Sequence, residues 1–331
     1  MTTTDLDLTP EPSAVPERRG VLVTGAGGYL GRLVVERLAK DPALGPIIAT
    51  DVRLPERPIP GVVYRELDVR DADLVGRVVG ERPIAVVVHL AAVVTPPRGG
   101  DRELAWQVDV QGTRHVLDAC LAAGVPRLVV TSSGAAYGYH ADNPALIDED
   151  QPLRGNEVFA YSHHKRVVEQ LLADYRERHP ELAQLVLRPG TILGRGTKNQ
   201  ITALFERPFV LGLRGASSPF VFVWDEDVVT CIERGAREPL EGVFNLAGGG
   251  AMTLAEIARA LGKPYVALPA GVVRAALTVL DRLRLSPYGP EQVMFLQHRP
   301  VLDARRVRER LGIELKPSRE VFDIYRGARH A

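Results

Sequence analysis

Val21-Leu22-Val23-Thr24-Gly25-Ala26-Gly27-Gly28-Tyr29-Leu30-Gly31 passes from a short β-branched apolar run into a glycine-rich turn. Arg32-Leu33-Val34-Val35-Glu36-Arg37-Leu38 follows with the apolar spacing of a helix. Strand, glycine turn and helix in succession make a dinucleotide site out of an otherwise weak glycine pattern. Gly25 allows the tight turn, Gly28 lets the backbone approach a pyrophosphate, and Gly31 brings the helix against the sheet. The phosphates then lie on the helix N-terminus, where unpaired N–H groups and the dipole favour negative charge. A second apolar run, Pro46-Ile47-Ile48-Ala49-Thr50, ends in Asp51, 20 residues beyond Gly31. An acid at that spacing binds the adenosine ribose hydroxyls and repels a 2′-phosphate, so NAD is expected rather than NADP. Arg53 pulls the other way, because its guanidinium can turn toward a phosphate. The plainer reading of Asp51 is a turn residue closing a strand.

Beyond this unit, strand and helix patterns alternate. Val62-Val63-Tyr64-Arg65-Glu66-Leu67 ends in Asp68, and Ala85 to Leu90 reads as a fully buried strand. A helix spanning roughly Arg102 to Ala123 precedes Leu128-Val129-Val130-Thr131, and the helix carrying Tyr161 precedes Leu185-Val186-Leu187-Arg188. The succession predicts an α/β fold with a Rossmann-like, doubly wound parallel sheet, whose ligands bind outside the C-terminal strand ends. The loop after Thr131, Ser132-Ser133-Gly134-Ala135-Ala136-Tyr137-Gly138, belongs to that rim. The dinucleotide domain is expected over 20–190. Residues 191–331 form mainly a smaller C-terminal substrate-binding region, with 224–247 returning to the first domain.

Composition narrows the function classes. The 331 residues carry 41 basic and 41 acidic side chains, which argues against a nucleic-acid surface or an acidic binding tail. Cys120 and Cys231 have no metal-ligand or redox spacing, so no metal site is expected and reduced core thiols fit a cytoplasmic protein. Residues 1–19 lack an apolar core and read as a disordered leader. Gly271 to Leu285 is apolar but broken by Arg274, Asp281, Arg282 and Arg284; it is too short to cross a membrane and fits an amphipathic helix that covers core or pocket.

Tyr161 and Lys165 stand four apart in a helical run, in a chain with five lysines against 36 arginines. That spacing puts both side chains on one helix face, where an ammonium stabilises a phenolate and draws the tyrosine pKa of about 10 toward neutrality. Such a tyrosine exchanges protons with an alcohol or a carbonyl.

Taken in order, the elements resemble the extended short-chain dehydrogenase/reductase superfamily, in its NAD-dependent epimerase/dehydratase branch. They are the Thr24–Gly31 loop, Asp51, Asp68-Val69, His89-Leu90-Ala91-Ala92, Ser132 to Gly138, Tyr161 to Lys165, Leu187 to Gly194, Asp225 to Val228 and Val243 to Leu246. The agreement runs from about Gly20 to about Pro317. The resemblance implies that Ser133 hydrogen-bonds the reacting oxygen and Tyr161 is the general acid/base, while Lys165 lowers its pKa and binds the nicotinamide ribose. The cofactor lies along Gly25, Gly27, Gly28, Tyr29, Leu30 and Gly31. Asp68 and Val69 lie against adenine, Leu90, Ala91 and Ala92 follow the cofactor backbone, and Pro189 approaches the nicotinamide. His163 and His164 are expected on the helix surface or at an interface, since Ser, Tyr and Lys complete the chemistry.

Departures bear on the substrate. Gly134 and Ala135 stand where sugar dehydratases of the family carry an acidic pair, which argues against dehydration. Thr191 replaces an Asn, and Phe220-Val221-Phe222-Val223 lacks the diphosphate-binding Arg of the nucleotide-sugar enzymes; Arg195, Arg214 or Arg299 can substitute as anion anchors. Asp109 replaces the family's Asn and is given a local structural role. The resemblance implies an NAD-dependent oxidoreductase acting on a secondary alcohol or ketone, in the first place an epimerase or dehydrogenase of a nucleotide sugar or related hydroxylated compound. The alternatives are a ketone reductase or hydroxysteroid-type dehydrogenase on a smaller or apolar substrate, and a dinucleotide sensor without catalysis. Apolar surface left over on the Arg102–Ala123 and Tyr161 helices suggests a homodimer built as a four-helix bundle.

Overall fold

The computed structural model describes residues 19–94, 102–283, 285–286 and 289–329. The expected leader up to residue 18 and Arg284 of the apolar C-terminal segment lie outside the described residues. Seven parallel strands form one sheet: β1 (Gly20–Thr24), β2 (Ile47–Asp51), β3 (Val62–Glu66), β4 (Ile84–His89), β5 (Arg127–Thr131), β6 (Ala183–Pro189) and the strand Gly242–Leu246. Their spatial order is Gly242–Leu246, β6, β5, β4, β1, β2, β3. The chain therefore turns back beside β1, and the loops after β1 and β4 flank the crevice where such sheets bind ligands. The sheet is the doubly wound Rossmann-like fold expected from the sequence.

Both faces of the sheet are covered, which is why its strands read as unbroken apolar runs rather than alternating ones. On one face Val21, Val23, Val86 and Val88 pack with α1 (Tyr29–Leu38) and the helix Asp225–Arg237. On the other, Leu22, Val87, Leu128 and Val130 meet α2 (Ala72–Gly80), α3 (Arg102–Trp106), α4 (Gly112–Ala122) and α5 (Ala160–Arg178). Val168, Leu171, Leu172 and Tyr175 of α5 are buried in this same intramolecular core.

The helix expected from Arg102 to Ala123 is not one uniform α-helix. A π-helical turn over Gln107–Gln111 separates α3 from α4. The wider turn points Asp109 inward, where its side chain is buried and Oδ1 accepts the Val93 N–H at 2.8 Å. Inserted π-turns of this kind often mark functional positions.

The remaining chain builds a second layer over the strand ends. Thr191–Leu193 pairs in parallel with Phe222–Trp224, Val210–Leu213 with Tyr265–Leu268, and Pro219–Phe220 antiparallel with Met252–Thr253. Its core is aromatic: Phe205 packs edge-on to Phe220, Phe222, Phe322 and Tyr325 at 5.8–6.4 Å between ring centroids. Ala270–Arg282 is helical, but Val273 is its one buried residue while Val272 and Val279 are more than half exposed, so it covers less core than its pattern suggests. No helix among the described residues is long and apolar enough to cross a membrane.

Sheet and α5 are locked by a buried ion pair. Arg188 on β6 donates through Nε and Nη2 to both Glu169 oxygens at 2.7 and 2.8 Å, and through Nη1 to Tyr137 Oη at 2.7 Å and the Glu149 carbonyl at 3.1 Å. Tyr137 in turn donates to Asn245 Oδ1 at 2.9 Å. Breaking one member leaves an unpaired buried charge, so Arg188→Met should cost about 3–5 kcal/mol in urea unfolding. Arg188→Met combined with Glu169→Leu should cost less than Arg188→Met alone. An Arg188→Met midpoint equal to that of the parent protein would contradict this role.

Candidate active site

The glycine turn is set by contact rather than by preference alone. Gly25 has a φ of +69°, and a Cβ there would lie 2.6 Å from the Ala91 nitrogen. A Cβ on Gly31 would lie 2.1 Å from the Gly25 carbonyl oxygen, so α1 can cross the turn at this distance with glycine alone. No side chain caps α1 at Gly28 and no acid occupies its first turn. Its leading N–H groups face a cleft of about 410 Å³ lined by Gly25, Gly28, Tyr29, Leu30 and Gly31. The same cleft continues past Leu90, Ala92 and Pro189 to Ser133, Tyr161 and Lys165. Loop and hydroxyl cluster thus share one cavity.

Asp51 closes β2 and accepts the Gly27 N–H on Oδ2 at 2.9 Å. It lies in an adjoining recess with Gly27, Arg53 and Arg57. Ala91 sits beneath the turn, its N–H 3.4 Å from Thr24 Oγ1. Asp68 and Val69 stand apart from the main cleft. The Asp68 carboxylate is held by the side chain and N–H of Arg70, with Nη2 at 2.5 Å, which keeps it below the usual carboxylate range. Val69 is buried against Gly112, and its carbonyl accepts from His115 Nδ1 at 2.8 Å.

Ser133 ends the β5 loop and caps a 3-10 turn over Gly134–Tyr137, its Oγ accepting the Ala135 N–H at 3.1 Å. Ser162 Oγ on α5 donates to the Ala135 carbonyl at 2.7 Å, which holds the loop against the helix. Ser133 and Tyr161 line the same cleft, and the Ser133 hydroxyl acts to lower the Tyr161 pKa. Lys165 is buried, with Nζ 3.4 Å from the Thr131 carbonyl and 5.8 Å from the Tyr161 ring centroid. Ser132, the neighbour most easily confused with Ser133, has a buried hydroxyl with no hydrogen-bond partner.

The electrostatics correct one expectation. Tyr161 is not drawn toward neutrality: burial pushes its pKa up to about 12, against a lowering by Ser133 and with a further rise from the Asp109 charge. Burial also lowers Lys165, opposed by Asp109 and Glu169. Dehydration, which sequence spacing cannot register, is the largest influence on both groups. A second correction concerns His164. It is buried, not on the surface, with Nδ1 3.4 Å from Asp109 Oδ2 and its ring edge-on to Trp106 at 5.4 Å. The π-turn brings Asp109 to that face of α5. His163 is half-buried and stacks on Trp106 at 6.0 Å.

Several wall residues had no local signal in the sequence. Tyr29 Oη donates to Asp225 Oδ2 at 2.5 Å and ties the glycine turn to the helix Asp225–Arg237. Tyr139, Phe159 and Phe295 form an aromatic wall with centroids 5.3–5.9 Å apart. Of the three arginines considered as anion anchors, Arg195 and Arg214 are exposed and Arg299 lines the cleft. No group of three metal-ligating side chains occurs among the described residues.

Comparison with known proteins bears on this geometry. The model of the NAD dependent epimerase/dehydratase family matches residues 21–246. A 3beta-hydroxysteroid-dehydrogenase/decarboxylase of Arabidopsis thaliana is 28% identical over 339 residues, covering 89% of this chain and 75% of the relative. A UDP-glucose 4-epimerase of Azospirillum brasilense is 29% identical over 326 residues, covering 92% and 89%. Among solved structures, the UDP-glucose 4-epimerase of Thermotoga maritima with UDP-glucose superposes with a TM-score of 0.72 at 19% identity, covering 94% of this chain and 98% of that one.

His89, at the end of β4, is enclosed between Thr24 Oγ1 at 2.7 Å and Thr113 Oγ1 at 3.1 Å. Burial, assisted by Lys165 and opposed by Asp109, lowers its pKa to about 4. The unfolded chain takes up this proton near pH 6.5 and the folded one only near 4. Stability is therefore lost as pH falls from about 6.5 toward 4. A ¹⁵N-histidine titration by NMR, with the signal assigned through His89→Gln, should find His89 neutral at pH 5. A midpoint near 6.5 would contradict the enclosure.

Proposed function

The chain belongs to the NAD dependent epimerase/dehydratase family, and we propose that it moves a hydride between NAD and a secondary alcohol or ketone borne on a largely apolar body. The observation that carries this reading is the continuity of one cleft from the glycine turn to Ser133, Tyr161 and Lys165, walled by Tyr139, Phe159 and Phe295. The residues fit the dinucleotide: open N–H groups at the start of α1 would hold the pyrophosphate, Asp51 the ribose, and Leu90, Ala91, Ala92 and Pro189 would follow its length. Bound there, NAD supplies the hydride acceptor or donor.

The chain's own part is the proton. Ser133 hydrogen-bonds the substrate oxygen, and Tyr161 Oη takes the alcohol proton or returns it to the ketone oxygen. With burial raising it to about 12, the phenol is protonated at neutral pH, the form that acts as acid in ketone reduction. Lys165, anchored on the Thr131 carbonyl, stabilises the phenolate left behind. The apolar walls and the hydroxysteroid-dehydrogenase relative support the apolar substrate. Epimerisation of a nucleotide sugar is the second reading, favoured by the epimerase relative that matches along 92% of this chain.

An NADH absorbance screen over hydrophobic ketones and nucleotide sugars separates the two, since an epimerase shows no net change in NADH. Tyr161→Phe should fold normally and reduce turnover by roughly 10²–10⁴-fold; full activity in that variant would remove Tyr161 from the chemistry. Cofactor titration should show NAD(H) bound more tightly than NADP(H), with the gap narrowed in Asp51→Ala. A parent protein that prefers NADP(H) would assign the recess to Arg53 instead.

A further inference from the structure

Arg299 shares the cleft with Ser133 and Tyr161. Its guanidinium carbon lies 3.9 Å from the ring centroid of Phe220 and 4.3 Å from that of Phe295. Nη2 donates to Thr191 Oγ1 at 2.9 Å. Nε and Nη1 are shut off from solvent and have no hydrogen-bond partner. No carboxylate among the described residues pairs with this cation, and burial lowers its pKa.

Arg188 shows how this chain completes a buried arginine when the role is structural. It has a bidentate carboxylate, a phenol and a carbonyl. Arg299 has two aromatic faces and one hydroxyl. Cation–π contacts offset part of the cost of dehydrating a guanidinium, but they satisfy none of its N–H groups. Two of them, Nε and Nη1, have no partner within the protein and gain accessible surface only when the side chain turns toward the cleft.

We propose that Arg299 is the docking point for a carboxylate carried by the substrate, so that the reacting oxygen and an acid group are read in one cleft. The proposal rests on the oxidoreductase reading above for what happens at Tyr161, but not for the binding itself. With aromatic rings against the guanidinium, a partner has to approach along its N–H edge, and a planar carboxylate fits such a slot. One negative charge also balances one guanidinium. A phosphate would bring a second charge and a tetrahedral shape. The other cations lining the cleft are Lys165, held on the Thr131 carbonyl, and Lys198, which is exposed. Tyr139 lines the same cleft, its ring centroid 5.3 Å from that of Phe295, which flanks Arg299.

The test is calorimetric titration of the NAD-saturated protein with benzoate, the uncharged isostere benzamide, and phenylphosphonate. Benzoate should bind at least about tenfold more tightly than benzamide, a difference expected of a charge-assisted contact. Arg299→Gln should abolish that preference, and it should melt no lower than the parent protein, because it removes an uncompensated buried charge. Equal affinity for benzoate and benzamide would overturn the proposal, as would a preference for phenylphosphonate over benzoate. Should Arg299→Gln fail to fold, the assignment to a binding role is wrong, and the parent's benzoate–benzamide comparison still decides whether the cleft selects a carboxylate. No turnover is involved, so a protein that selects benzoate yet reduces no ketone would refute the oxidoreductase reading alone.

Discussion

The arrangement of the site depends on the Arg188–Glu169 pair. Glu169 is one turn beyond Lys165 on α5, and its two bonds to Arg188 fix the rotation and height of that helix against β6. With that face turned inward, Tyr161 and Lys165 point to the C-terminal ends of the strands. Ser162 then reaches the Ala135 carbonyl and pins the loop that carries Ser133. Through Tyr137 and Asn245 the same network joins the edge strand Gly242–Leu246. A helix held by apolar contacts alone could slide or roll at little cost; a desolvated, bidentate ion pair has one geometry.

A tension runs through the site between burial and charge. Tyr161, Lys165 and His89 are all displaced in the direction that disfavours their charged forms. Asp109, buried at the π-turn where the resembling proteins carry Asn, supports the Lys165 ammonium while raising the Tyr161 phenol further. One carboxylate therefore biases the cluster toward a protonated tyrosine beside a charged lysine. Arg299 is the same tension at the far wall of the cleft, with no acid of its own to relieve it.

What could be read in the sequence was what is local. The glycine turn, Asp51 at a strand end and the Tyr161–Lys165 spacing are short motifs in fixed order, and their chemistry follows from residue type and separation. The sheet was legible for the same reason, through buried apolar strands that alternate with helical periods. The errors come from tertiary burial. The spacing of Tyr161 and Lys165 announces one shared helix face but not the dehydration that dominates both groups. His164 looked like a surface residue because its partner Asp109 is 55 positions away and turned inward by a π-insertion. Arg299 could not be told from Arg195 or Arg214, since Phe220, Phe295 and Thr191 reach it from separate segments.

A crystal structure with NAD bound should show the pyrophosphate on the N–H groups of Tyr29 and Leu30, the adenosine ribose on Asp51, and the nicotinamide beside Tyr161 and Lys165. A dinucleotide bound with its nicotinamide away from Tyr161, or a pyrophosphate placed elsewhere than the start of α1, would contradict this arrangement.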